Sequence, residues 1–221
     1  MQNFNDIRVF FSKTDECKYI GHLDVNRIII RAIQKSKLPI WKTEGFNVHT
    51  YITFSNPLSL GFASTCESFD IRIIDVNYDI NRIPEMLNQY LPEGLKILSV
   101  SKPEYKNKDI TSAEYEIKIS SDDISNEELY SLFKNMLESK EIIVEKKTKK
   151  GSKEINLSDF LSVYTIELKD KYVFLNIILP SGSTLNINPN LFFDKIKSDN
   201  NIELFTHVLR TRMFVNGNEF K

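Results

Sequence analysis

Seven residues in the first quarter of the chain could hold a ligand or move a proton: Lys13, His22, Arg27, Arg31, Lys42, Asn47 and His49. The four cations suit phosphate oxygens. The two imidazoles titrate near neutral pH and could serve acid–base chemistry without a metal, which makes His22 and His49 the catalytic candidates. Arg27 and Arg31 stand four residues apart, so a helix would set them on one face, with Gln34 and Lys35 one turn on. His22 precedes a helical run, where free backbone N–H groups can meet an anion. His49 lies beside Asn47 in a turn-rich stretch. If that stretch folds over the helix start, two imidazoles and an amide converge. Plainer roles exist for each residue: a solvated helix face for the arginines, backbone satisfaction in the loop for Asn47 and His49, and capping for His22.

Charge is polarised along this part of the chain. From Arg8 to Thr50 there are eight Lys or Arg against four Asp or Glu, and from Tyr51 to Leu95 two against six. The whole 221-residue chain carries a formal charge of -1, so attraction to a polyanion would have to be local. Cys17 and Cys66 are its two cysteines, which excludes a disulfide framework and an iron–sulfur cluster held by this chain. A zinc site would need His22, His49, Asp24 and Cys66 to meet by folding, and no metal is expected. Dinucleotide-binding, Walker and nucleophile-elbow patterns are missing from the sequence.

No apolar run reaches the roughly 18 residues of a membrane span, and Met1–Asp6 lacks the basic start and apolar core of a signal peptide. A cytoplasmic protein is expected. Trp41 and Phe46 flank the turn-rich stretch. Exposed, either could stack on a base; Phe46 is expected in the core. Lys140 to Glu154 holds six Lys and three Glu and reads as a solvated hairpin, with a second phosphate-contacting arm as the alternative.

The elements that must position these residues follow from periodicity. Ile7–Ser12 predicts a buried strand, and Val25, Ile28, Ile29, Ala32 and Ile33 a helix over 22–37 that stops before Pro39. Strands are expected at 51–54, 69–76 and 95–101, with a second helix at 80–91. The order βαββαβ is the ferredoxin-like pattern. The second half repeats it: strands at 113–120, 142–147, 163–168, 172–179 and 205–215, helices after Ser125 and after Pro189, and a short return at 154–157. The expected fold is α+β, two ferredoxin-like βαββαβ halves with antiparallel sheets. The domains are 1–102, carrying the loop, a polar linker 103–112, and 113–221 with an extra hairpin.

Three stretches carry a resemblance. Phe10-Phe11-Ser12-Lys13 with Tyr19-Ile20-Gly21-His22-Leu23-Asp24 is the first, and Gly45-Phe46-Asn47-Val48-His49 running to Pro57-Leu58-Ser59-Leu60-Gly61 the second. The third is Lys149-Lys150-Gly151-Ser152-Lys153-Glu154-Ile155-Asn156-Leu157. In order and spacing the chain resembles the bacterial radical-SAM-linked protein family, most strongly over residues 7–70. The resemblance implies association with a radical-SAM protein encoded nearby or fused. The iron–sulfur cluster and S-adenosylmethionine would then sit on that partner, and no cofactor on this chain. Three readings of function follow. The first is a non-catalytic accessory that binds or presents an RNA-like substrate. The second is a metal-independent RNA-cleaving or RNA-modifying enzyme using His22 and His49. The third is a protein-interaction module without nucleic acid or membrane.

Overall fold

Ile7, Val9 and Phe11 alternate with Arg8, Phe10 and Ser12, and this period of two sends the two sets to opposite faces of the first strand. The computed structural model describes residues 4–148 and 151–221. The chain is mixed α/β, with four α-helices among the described residues. It divides into two compact units, Met1–Ile110 with Gly217–Lys221, and Thr111–Asn216.

The first unit contains β1 (Asn5–Lys13), α1 (His22–Ser36), β2 (Ile52–Phe54), β3 (Ala63–Ile73), α2 (Ile83–Asn88) and β4 (Leu95–Ser101). Its strands lie in the order β4-β1-β3-β2, each pairing antiparallel. Ile7, Val9, Phe11, Phe69, Ile71 and Ile73 form the sheet's share of the core, and α1 adds Val25, Ile29, Ala32 and Ile33. Burying each of these large side chains contributes about 1.5–3 kcal/mol. That outweighs the few tenths lost because α1 starts on Gly21, which offers no side-chain cap. At the other end Lys37 turns left-handed (φ 56°) and Pro39 blocks continuation.

Boundaries differ from expectation where tertiary packing decides them. The third strand spans 63–73 rather than 69–76, because Ala63 and Ser64 are buried in the ladder with β1 while Ile74–Asn77 is exposed. The second helix is split: a 3₁₀ turn at Ile80–Arg82 precedes α2, whose Pro84 supplies no N–H. The 103–112 stretch expected as a linker contains the division between the units, but its first part is fastened down. It forms a 3₁₀ turn at Asn107–Asp109, and Asn107 Oδ1 accepts from Arg8 and from Ser55 Oγ. The tail Gly217–Lys221, expected in the second domain, belongs to the first unit, with Phe220 buried against the Arg8 guanidinium at 4.1 Å.

The second unit contains β5 (Ser112–Ser120), α3 (Asn126–Leu137), β6 (Ile143–Thr148), β7 (Gly151–Asn156), β8 (Val163–Lys169), β9 (Tyr172–Pro180), α4 (Asn190–Asn200) and β10 (Phe205–Val215). Its sheet runs β10-β5-β9-β8, again antiparallel, while β6 and β7 form a separate hairpin. Ser125 and Glu128 cap α3 reciprocally, as their spacing predicts. The expected hairpin turn at 149–153 falls partly on Lys149 and Lys150, which lie outside the described residues.

Candidate functional site

Two surfaces of the first unit collect the candidate residues. The first is a small recess, of about 20 Å³, at the start of α1, lined by Phe11, Lys13, His22, Val25, Phe54, Asn56, Pro57, Leu58, Glu67 and Ser68. Lys13 ends β1 on the helix-side face, opposite Ser64 of β3, and Glu67 faces Phe11 two rungs away. Both charged side chains are buried, at 3% and 7% exposure. The Lys13 ammonium donates to the Lys18 carbonyl (3.2 Å). His22 is the first residue of α1, and its ring meets Phe54 edge-on at 5.0 Å. Burial pushes the His22 pKa below the ordinary imidazole value; Glu67 opposes that shift and Lys13 reinforces it.

This shift has a measurable consequence. A folded-state pKa below the unfolded one means that the neutral ring contributes stability above about pH 6.5. That contribution is lost as pH falls through the folded pKa. The charged groups in the recess around the ring are Lys13 from β1 and Glu67 from β3, and the 54–58 segment brings none. Urea denaturation between pH 5 and 8 should therefore show stability declining below about 6.5, with His22→Gln flattening that slope. An unchanged slope in His22→Gln would assign the decline to other groups.

The second surface is cationic. Arg31 and Lys35 are exposed along α1, as is Arg27, which is ion-paired with Asp24 at 2.9 Å. Lys42 lies across a groove from Gln34 and Lys37, at the carboxyl end of the same helix. Lys42 pairs with Thr50 to start a small hairpin-like loop. Inside it the Thr43 N–H donates to the His49 carbonyl (2.9 Å), and the His49 N–H donates to Thr43 Oγ1 (3.1 Å). His49 Nδ1 lies 2.9 Å from the Asn47 carbonyl and 3.0 Å from Thr43 Oγ1. His49 thus serves the loop's own backbone, and Asn47 contributes its carbonyl to the same network. Gly45 takes φ 113° at the tip, which turns Phe46 outward. Phe46 is fully exposed, contrary to the core position expected for it, and Val48 beside it is 63% exposed. Trp41 instead packs against Phe4 and Tyr51, with the Arg72 guanidinium 5.5 Å from its ring.

The seven candidates therefore do not form one concave surface. Lys13 and His22 share the recess. Lys42, Asn47 and His49 sit near the far end of α1, whose 15 residues span about 22 Å, and the two imidazoles do not converge. Sequence reasoning passed over Glu67 and Asn56. The signal for Glu67 was present: it shares strand parity with Phe69, Ile71 and Ile73, which places a carboxylate on a buried face. Among the described residues, no group of three or more His, Cys, Asp or Glu comes together as metal ligands, and no helix is long and apolar enough to cross a membrane.

The chain is similar in fold to a chain of a Cbf5-Nop10-Gar1 complex, with a TM-score of 0.52 and 9% identity over 94% of its own length. It spans about half (48%) of that chain. An unknown protein from Galdieria sulphuraria also matches, at 11% identity and a TM-score of 0.27, over 93% of this chain and 99% of the other. No curated protein matches significantly. Residues 6–189, which hold both surfaces, match the family described as uncharacterized protein conserved in bacteria (DUF2344), and the chain belongs to that family.

Proposed function

We propose that the chain is a non-catalytic accessory of a radical-SAM enzyme that binds or presents a single-stranded, RNA-like substrate. The strand order common to both units, with its βαββαβ succession, supports the ferredoxin-like reading of each half. The observation that carries the binding reading is Phe46: a fully exposed aromatic ring at a loop tip whose base holds Lys42, beside the helix end that carries Arg31 and Lys35. A free ring face stacks on any base, and nearby cations hold the backbone. The separation of His22 from His49 weighs against the two-histidine enzyme. The radical-SAM association rests on the resemblance of the 10–24 and 45–61 stretches.

Binding of a fluorescent single-stranded RNA, followed by anisotropy across a salt series, tests this. Phe46→Ala should weaken binding by roughly tenfold, in line with about 1–3 kcal/mol per stacked base. Arg31→Ala with Lys42→Ala should weaken it further and flatten the salt slope by roughly 1.4 units. Wild-type protein that ignores RNA at low salt would leave the protein-interaction module, for which the apolar Phe46–Val48 tip is the natural anchor.

A further inference from the structure

We propose that the groove at the carboxyl end of α1 is a nucleotide subsite for an adenine-containing single strand. The base lies on the apolar floor, its edge meets the Gln34 amide, and the adjoining phosphate sits between Lys37 and Lys42. The inference rests on the RNA reading of the neighbouring loop and adds to it the residue that selects the base.

The floor is made of core residues. Ile33, Leu38 and Ile40 line the groove and belong to the buried cluster of the first unit, so the floor is formed before any ligand arrives. The groove encloses about 340 Å³, near the small end of ligand sites, which run upward from about 300 Å³. That suits one nucleotide and not a duplex. The rim is polar and uncommitted. Gln34, Lys37 and Lys42 are exposed, and among the described residues none of their side chains has a hydrogen bond or an ion pair. The dipole of α1 favours a cation at its carboxyl end, which accounts for Lys37 but not for Lys42 across from it. Lys37 also holds a left-handed φ of 56°, a position where glycine or asparagine is usual. Two like charges facing one gap repel, and an anion between them relieves both.

An apolar floor between cations fits a ligand with a flat apolar face and an attached anion. An acidic peptide segment answers the lysines, whereas the floor with an amide beside it favours a base. The Gln34 amide offers a donor and an acceptor side by side, which match the N7 acceptor and N6 donor of adenine. Lys42 pairs with Thr50 at the foot of the loop whose tip is Phe46. Four residues of extended chain put Phe46 at most about 13 Å from Lys42, at about 3.3 Å per residue. One strand of eight nucleotides therefore covers both, at about 3.4 Å per base even when stacked.

Anisotropy of fluorescent octa-adenylate and of its 7-deaza-adenine analogue, each across a salt series with the full chain, is the test. The analogue keeps the ring for stacking but lacks the N7 acceptor. Wild-type protein is expected to bind octa-adenylate about tenfold more tightly than the analogue. Gln34→Ala should abolish that preference, whereas Phe46→Ala should weaken both strands alike, because stacking tolerates any base. Lys37→Asn removes the charge yet suits the left-handed backbone, and should flatten the salt slope by about 0.7 units. Lys96→Ala removes the same charge from β4, on the opposite edge of the sheet, and should leave the slope unchanged. The substituted positions 34, 37 and 96 are exposed, and thermal melts confirm that each variant folds. RNA bound through Phe46, with Lys37→Asn indistinguishable from Lys96→Ala or with both strands bound equally by the wild type, overturns the groove and leaves the RNA reading standing. Wild-type protein that ignores both strands overturns the two together. In that case, binding of fluorescent octaglutamate weakened by Lys37→Asn would assign the groove to an acidic protein segment instead.

Discussion

Arg8→Ala is expected to destabilise the first unit by about 3–5 kcal/mol, the range found when one partner of a buried ion pair is removed. Arg8 has no exposed surface. Its guanidinium holds Asp70 with two parallel bonds, Nε to Oδ1 at 2.8 Å and Nη2 to Oδ2 at 2.9 Å. It also donates to the carbonyls of Tyr105 and Lys221 and to Asn107 Oδ1, each at 2.9 Å, and stacks on Phe220. One side chain thus ties β1 to β3, to the 105–107 segment and to the tail. Truncation leaves a carboxylate and several acceptors without their donor. Arg8→Lys should recover little, because an ammonium cannot span the carboxylate as a planar fork does. Urea denaturation followed by Trp41 fluorescence isolates the effect, since Trp41 is the chain's one tryptophan and lies in this unit. A loss below about 1 kcal/mol would show that the network is replaced by water and contributes little.

The second large effect is expected at Gly94. Its φ is +86°, and an added Cβ would stand 2.7 Å from the Thr14 carbonyl oxygen and 3.2 Å from Cys17. The approach is held by the Thr14 N–H donating to the Gly94 carbonyl (2.8 Å) and by the Cys17 thiol donating to the Glu93 carbonyl (3.0 Å). Gly94→Ala therefore meets both a left-handed backbone, costing about 1–2 kcal/mol, and a collision with main chain. The expected loss is about 3 kcal/mol. Gly61→Ala is the matched comparison: φ there is +84°, with nothing within 4 Å of the new Cβ. It should lose only the backbone part, about 1 kcal/mol. Equal losses at the two sites would mean that the Thr14–Cys17 segment yields freely. The segment leads from Lys13 to Lys18, whose carbonyl receives the Lys13 ammonium, so a shift there would also disturb the recess.

Features encoded by local periodicity are legible in the residues alone. The alternation of Ile7, Val9 and Phe11, the helical spacing of Val25, Ile29 and Ile33, and the Ser125–Glu128 cap each encode their own element. The order of strands and helices in both halves follows from them. Two cysteines and three histidines limit the metal ligands the chain can offer. Which distant residues meet depends on how the elements pack. The same α1 that carries His22 at its start holds the Lys42–Thr50 loop near its end, and its length keeps the two histidines apart. Phe46 has the composition of a core residue, but Gly45 and the Thr43–His49 hydrogen bonds turn it into solvent. Glu67 and Lys13 come into the same recess through the β1–β3 register, which sets Glu67 opposite Phe11 and Lys13 opposite Ser64 and which no local pattern records. Residues 103–112 read as a polar linker and 217–221 as the end of the second domain, yet Arg8 fastens both, because a buried guanidinium must find acceptors wherever the fold brings backbone carbonyls within reach.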